Sequence, residues 1–428
     1  MLDIKLIRET PDVVRENLGR RHDKDKLKLL DKVLKTDEKW RELTAKVNDL
    51  RSKRNAISMG IAALKKEGRQ KDAELKVKEA ARIPVRIRQL ESKQEQLAEE
   101  LRIGLMSLPN MLHESVPFGK DDHDNVELRR VGEPPAFGFE PKDHVQIMAA
   151  LGLMDEERAA KVAGSGFVYL KGQLAMLDLA IQRFALEFLQ KRGFTVVEPP
   201  FMMNRRAYEG VTDLGDFEKV MYKVEGDDLY LIATSEHPMG AMYRDEIVDK
   251  RQLPIRFAGI SPCFRREVGA HGKYTKGLFR MHQFNKVEQF VFCLPEQSWQ
   301  LHEELQKNSE DLYRALGLHY RVVNVCTGDI GSIAAKKYDT EVWMADGQFR
   351  EIGSNSNCTD YQARRLNIRW RAGSGQPVQG FVHTLNNTAL ATSRTMLAII
   401  EQHQQPDGTV RVPKPLVPYM GGMEIIGK

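Results

Sequence analysis

Cys263-Phe264-Arg265-Arg266-Glu267, then the loop Val268–Leu278, then Arg280-Met281-His282-Gln283-Phe284-Asn285-Lys286-Val287-Glu288 has the form of two strands around a polar turn. The loop holds three Gly, two Lys and one His, which predicts a mobile, positively charged connection. Paired as a hairpin, the two flanks aim Arg265, Glu267, Arg280, Phe284 and Glu288 at one pocket. An arginine fork matches phosphate or carboxylate in a bidentate manner. An aromatic face stacks a base, and a carboxylate accepts from an exocyclic amine. A surface hairpin laced with salt bridges accounts for these residues equally well, so the neighbouring sequence has to decide.

On both sides of the hairpin the pattern is mixed. A helix is predicted over Leu174–Lys191 from the apolar face Leu174, Leu177, Ala180, Ile181, Phe184 and Phe188, with a stop at Gly193. Strand-like runs fall at Phe194–Val197, Leu229–Ala233, Arg256–Ile260, Gln289–Phe292 and Tyr320–Val325. Strands with interspersed helices and no regular alternation imply an α+β domain on a mostly antiparallel sheet. No G-x-G-x-x-G or G-x-x-x-x-G-K-[S/T] occurs, which leaves dinucleotide-binding and P-loop folds without support.

Towards the N-terminus the pattern changes. Apolar residues step by three and four at Trp40, Leu43, Val47, Leu50, Ile57, Ile61 and Leu64, with Arg54 as the polar interruption. The pattern halts at Glu67–Asp72 and resumes at Ile83, Ile87, Leu90, Leu97, Leu101 and Leu108, with Gln94 and Gly104 in the weak positions. Two such seams around one turn predict an antiparallel helical hairpin, a coiled-coil arm on the order of 60 Å long. Pro84 lies inside the second helix and predicts a kink or break near Arg82. The Pro/Gly-rich passage from Pro109 to Pro134-Pro135 then divides the chain into an arm domain, 1–108, and a second domain, 109–428.

Charge follows the same division. Residues 1–105 carry 27 Lys and Arg against 19 Asp and Glu, whereas the remainder carries 38 against 41. The basic quarter suits a polyanionic partner, a solvated helical face being the plain alternative. Hydrophobic residues make up 41% of the 428, enough for a sizeable core and too many for a disordered chain. Cys263, Cys293, Cys326 and Cys358 form no CxxC pair, so buried thiols are expected rather than disulfides. No stretch approaches the roughly 18 apolar residues of a membrane span, and no signal-peptide core is present. The expectation is a soluble, cytoplasmic protein with no membrane partner.

Phe-Arg-x-Glu, a variable loop and Arg-x-x-x-Phe resemble motif 2 of the class II aminoacyl-tRNA synthetases. Gly193-Phe194-Thr195-Val196-Val197-Glu198-Pro199-Pro200 is similar to motif 1, the dimer-interface segment. His383-Thr384-Leu385-Asn386-Asn387-Thr388-Ala389-Leu390-Ala391-Thr392-Ser393-Arg394 is similar to motif 3, with Ser393 where glycine is usual. The helical arm, Thr234-Ser235-Glu236-His237-Pro238 and Arg280-Met281-His282-Gln283-Phe284 resemble the seryl-tRNA synthetases of the archaeal and eukaryotic type.

The resemblance implies a class II fold, ATP and serine as substrates, Mg²⁺, tRNA(Ser) as partner and a homodimer. It leaves open whether tRNA(Sec) is also charged. Arg265 would hold the α-phosphate and the serine carboxylate, with Arg394 clamping the triphosphate from the opposite wall. Glu267 would accept from the adenine amino group, Phe284 would stack on the ring, and Arg280 would lie at the γ-phosphate. Glu351 and Ser354 would ligate Mg²⁺ through oxygen. Thr234 and Glu236 would receive the serine amino group, and Glu288 and Thr388 its hydroxyl. Alanine would leave that last pair unsatisfied, at a cost of roughly 1–3 kcal/mol or more; threonine would be excluded by size. No zinc is expected, since His271, His282 and His302 lack ligand spacing. In this family the arm of one subunit places tRNA at the other subunit's active site.

Other classes fit less of the chain. An amino-acid ligase that loads another carrier would usually lack the arm, and a catalytically dead RNA-binding relative would have lost Arg265, Glu267, Glu288 or Arg394. A coiled-coil scaffold leaves residues 110–428 unexplained.

Overall fold

The computed structural model describes residues 1–213, 220–267 and 277–428; most of the Val268–Leu278 loop, with His271, lies outside them. The chain divides into two compact units, Met1–Pro109 and Asn110–Lys428. In the first, α1 (Ile4–Glu9) and α2 (Pro11–Gly19) precede the long α3 (Lys24–Lys66), and α4 (Gln70–Ala80) and α5 (Ile83–Ser107) return along it. At 1.5 Å per residue, the 43 residues of α3 span about 65 Å. Helix stops at Ala81 and Arg82, with Pro84 in the first turn of α5. The expected break is there, because proline at the start of a helix forfeits no hydrogen bond.

The weak seam positions have structural reasons. Gln94 Nε2 donates to Thr44 Oγ1 at 2.8 Å, a polar rung inside the hairpin. A Cβ on Gly104 would come within 2.8 Å of Val33 Cγ2, so glycine lets α5 approach α3 closely. The short α1 and α2, which periodicity did not predict, are fastened by Arg8, whose Nε donates to Asp37 Oδ2 on α3 at 2.8 Å.

In the second unit, the described residues form an eight-stranded sheet. In chain order its strands are β1 (Val126–Val131), β2 (Thr195–Val197), β3 (Ile255–Phe264), β4 (Gln283–Cys293), β5 (Tyr320–Asn324), β6 (Lys336–Trp343), β7 (Phe349–Asn357) and β8 (His383–Ala391). They lie side by side as β1-β5-β6-β7-β8-β4-β3-β2. All neighbours are antiparallel except β2, the motif 1 strand, which joins β3 in parallel at the edge. The α+β expectation and its mostly antiparallel sheet therefore hold. Of the predicted strand runs, Leu229–Ala233 shrinks to Tyr230–Leu231. Beyond it, the Ala233 amide turns to Tyr208 Oη at 3.1 Å instead of a ladder partner.

Helices α6 (Gln173–Gln190), α8 (Ser298–Ala315) and α9 (Thr392–Gln402) supply Leu177, Leu305 and Leu397 to the larger core, where Val287 and Val291 of β4 also sit. Phe290 and Phe292 of the same strand join a separate core with Tyr208. Alternation along β4 thus separates two cores.

Candidate active site

The motif 2 hairpin forms as read from the sequence: β3 and β4 pair with Phe264 opposite Gln283 and Gly259 opposite Glu288. A cavity of about 730 Å³ is lined by Lys286 and Glu288 of β4 and by Arg265 and Glu267, just past the end of β3. Thr388 on β8 stands directly across from Glu288, and the register slips between Thr388 and Leu390. Such a slip re-aims side chains beside a site, and Thr388 Oγ1 lies 3.3 Å from Glu288 Oε2.

Thr234 and Glu236 reach the same cavity from the turn into α7 (Glu236–Ala241). Thr234 Oγ1 accepts from the Glu236 amide at 3.1 Å. Gly259 permits this packing, since a Cβ there would meet Met239 and come within 2.8 Å of Ser235 Oγ. Behind the turn, His237 Nδ1 faces Tyr208 Oη at 3.0 Å. Burial, with Lys286 and Arg265 nearby, drives His237 down to about 3, so its imidazole is neutral. Burial and the charge of Glu288 push the Glu236 carboxyl up to about 7, while Lys286, Gln362 and Arg265 act against them. Burial raises Glu288 as well.

Glu351 and Ser354, on β7, line another wall. Ser354 Oγ donates to Asp339 Oδ1 at 2.6 Å, and lies 3.3 Å from Glu351 Oε1. Burial acts to raise Glu351, but Arg394, Lys337 and Arg265 outweigh it and hold the carboxyl at about 2. Its side chain is still 45% exposed, so solvent screens part of these interactions. Asp339 goes the other way, raised to about 6 chiefly by burial despite Lys337 at 3.1 Å.

Arg280, Phe284 and Arg394 do not line the cavity itself. Arg280 pairs with Glu267 at 3.1 Å, and Glu267 holds φ +44°, a strained conformation for a non-glycine residue. The Arg265 guanidinium sits 5.2 Å from the centre of the Phe284 ring, which borders a second, smaller cavity. Arg394 donates to the Glu351 carbonyl at 2.9 Å, and its guanidinium lies over Phe279 at 4.9 Å. Each of these three residues thus contacts a group that does line it: Glu267, Arg265 and Glu351 respectively. The sequence reading missed Lys286, Lys337, Asp339, Gln362 and Phe279. Of these, Lys286 alone carried a local signal: it shares strand parity with Phe284 and Glu288.

Two of the histidines withheld from metal binding make contacts of their own. His282 stacks on Phe167 and hydrogen-bonds Tyr222; His302 Nε2 faces the Asn355 carbonyl at 3.2 Å.

The seryl-tRNA synthetase N-terminal domain family matches residues 1–112. The family of the tRNA synthetase class II core domain (G, H, P, S and T) matches 219–403, which includes every site residue named above from Thr234 to Arg394. The serine–tRNA ligase of Methanocella arvoryzae is 56% identical over 427 residues, covering 100% of both chains. This chain belongs to the seryl-tRNA synthetases. The seryl-tRNA synthetase of Pyrococcus horikoshii, solved in complex with ATP, superposes with a TM-score of 0.95 at 47% identity, covering 100% of this chain and 99% of that one. The cytoplasmic serine–tRNA ligase of Naegleria fowleri, solved with AMP, gives 0.88 at 39% identity, covering 100% and 98%. Archaeal and eukaryotic seryl-tRNA synthetases are thus similar along the whole length, as the resemblance of the motifs implied.

Proposed function

We propose that this seryl-tRNA synthetase activates L-serine with ATP, forming seryl-adenylate and pyrophosphate, and transfers the seryl group to the 3′ end of tRNA(Ser). The observation that carries the reading is one cavity whose lining has two parts. Thr234, Glu236, Glu288 and Thr388 give the lining a polar part suited to an amino group and a hydroxyl, and Arg265 with Glu351, to whose carbonyl Arg394 donates from outside the lining, gives a charged part suited to a triphosphate.

In the first step the serine carboxylate attacks the α-phosphorus and pyrophosphate leaves. Arg265 holds both reactants, and Arg394 faces the charge that develops on the phosphates; catalysis is positioning and electrostatic stabilisation without a protein nucleophile. Glu267 and Phe284 hold the adenine, and Arg280 the γ-phosphate. The donor set fits Mg²⁺: a carboxylate kept ionised at Glu351 and a Ser354 hydroxyl whose proton points to Asp339, both hard oxygens. Glu351 and Ser354 would hold Mg²⁺, which would supply positive charge against the negative charge of the phosphates. In the second step the terminal ribose hydroxyl of tRNA attacks the adenylate carbonyl.

The basic arm grips tRNA by shape and phosphate contacts; tRNA(Sec), with the same serine end product, is a second candidate. Met176 and Leu179 on the motif 1 helix and Val196 on its strand are exposed apolar residues that suit contact with a second copy of the chain, which supports a homodimer as the active form. No described helix is long and apolar enough to cross a membrane. Serine-dependent ATP–pyrophosphate exchange, with alanine and threonine as controls, followed by charging of transcribed tRNA(Ser), tests the proposal. Exchange is expected with serine alone; its absence with serine overturns the reading.

A further inference from the structure

We infer that Lys286 is a specificity-determining positioning residue, whose ammonium engages one oxygen of Glu288 and so reserves the other for the substrate hydroxyl. The inference rests on the serine-binding reading above. Lys286 Nζ lies 2.5 Å from Glu288 Oε2, and Thr388 Oγ1 lies 3.3 Å from the same oxygen. Both contacts fall on Oε2, and Glu288 lines the cavity, so the inference gives Oε1 to the substrate hydroxyl. Both side chains are buried, with 7% and 1% exposed, which fixes the pair in one geometry.

Charge accounts for why a lysine belongs there. Glu236 from α7 and Glu288 from β4 face the same space and repel each other. Arg265 at the end of β3, Cys263 on β3 and Tyr313 on α8 are the other titratable groups around Glu288. Arg265 is turned to the Phe284 ring and to the Ala233 carbonyl at 3.4 Å, so among the described residues Lys286 is the cation in contact with Glu288. An ionised carboxylate only accepts hydrogen bonds. It therefore demands a donor that serine offers and alanine lacks. A neutral acid in its place both donates and accepts, and the demand is relaxed.

The test uses the full-length enzyme in serine-dependent ATP–pyrophosphate exchange across neutral and mildly alkaline pH. In Lys286→Met, the serine KM is expected to rise about 10- to 100-fold, the scale of a lost charge-assisted hydrogen bond. The ATP KM should stay within about twofold, and the preference for serine over alanine should fall. The pH at which serine binding weakens should move upward, because Lys286 opposes protonation of both carboxylates. Lys286→Arg, which keeps the charge, should recover part of the loss. A Lys286→Met enzyme whose serine KM stays within about threefold of the parent at every pH overturns the inference.

The double variant Lys286→Met/Glu288→Gln removes the uncompensated charge and decides the matter where the single variant does not fold. If Lys286 acts through Glu288, the double variant matches Glu288→Gln alone. If both KM values worsen beyond that variant, the role is general and the inference fails. Failure of the parent enzyme to exchange with serine would instead refute the functional reading.

Discussion

Glu236 and Glu288 put two carboxyls into one cavity, and their ionisation sets how serine is held. With Glu236 raised to about 7 by burial and by Glu288, its neutral acid predominates below that pH. A neutral acid attracts an ammonium far less than a carboxylate does. The serine KM should therefore climb as pH falls through about 7, while the ATP KM holds steady because Glu351, at about 2, stays ionised over the same range. Steady-state exchange at saturating co-substrate checks this: a flat serine KM, or an ATP KM that tracks it, contradicts the assignment. Glu236→Gln should flatten the profile and weaken serine binding throughout. At this scale the sequence was uneven in what it disclosed. Arg265, Glu267, Glu288, Thr388 and Arg394 were legible because their order along three motifs constrains them jointly. Lys286 stands in the same motif 2 segment, yet a lysine in a strand ordinarily reads as solvent-facing. Its burial depends on a carboxylate two residues away and on Glu236, brought in from another element. Asp339 and Gln362 act from β6 and from a short helix after β7, so they had no local sign at all.

Elements explain which parts of the fold could be read ahead. The arm followed from a repeated apolar step, and its break from proline stereochemistry. The two short N-terminal helices have too few turns to show periodicity; an ion pair from Arg8 to buried Asp37 holds α1. The register slip in β8, which falls just after Thr388 pairs with Glu288, is likewise a property of strand pairing and invisible in one strand's sequence. All the cavity-lining residues belong to the unit Asn110–Lys428, and the arm helices belong wholly to Met1–Pro109. Deleting roughly residues 27–105 should therefore leave serine-dependent exchange within about threefold of the full chain and abolish charging of tRNA(Ser). The two assays run on one preparation separate the outcomes. Equal loss of both would show that the arm is needed for activation itself, and would end the proposed division of labour.

At the scale of the whole molecule, the charge of the chain is divided as its work is: basic residues accumulate in the arm, whereas the second unit keeps its useful cations at Arg265, Lys286 and Arg394. In the function proposed above an arm and an active site meet on one tRNA, and the resemblance of the motifs implies that the two belong to different subunits. Leu179, 56% exposed, and Met176, 45% exposed, lie on the motif 1 helix. A charge at Leu179 should disrupt the contact between copies, because an unpaired charge in an apolar interface costs several kcal/mol. Leu179→Glu is thus expected to sediment as a monomer with exchange and charging both lost. A fully active monomer would remove the dimer from the mechanism. The cross-subunit arrangement makes a sharper prediction. An arm-deleted subunit with an intact site cannot charge tRNA, and neither can a full-length Arg265→Ala subunit. Mixed dimers made by co-expression and purified through two different tags bring one good arm and one good site together. If the arm serves the partner's site, the mixed dimer charges tRNA(Ser) at about half the rate of the parent dimer, since one of two sites is complete. If the arm serves its own subunit's site, the mixed dimer stays inactive, because every intact arm is then joined to a site that lacks Arg265.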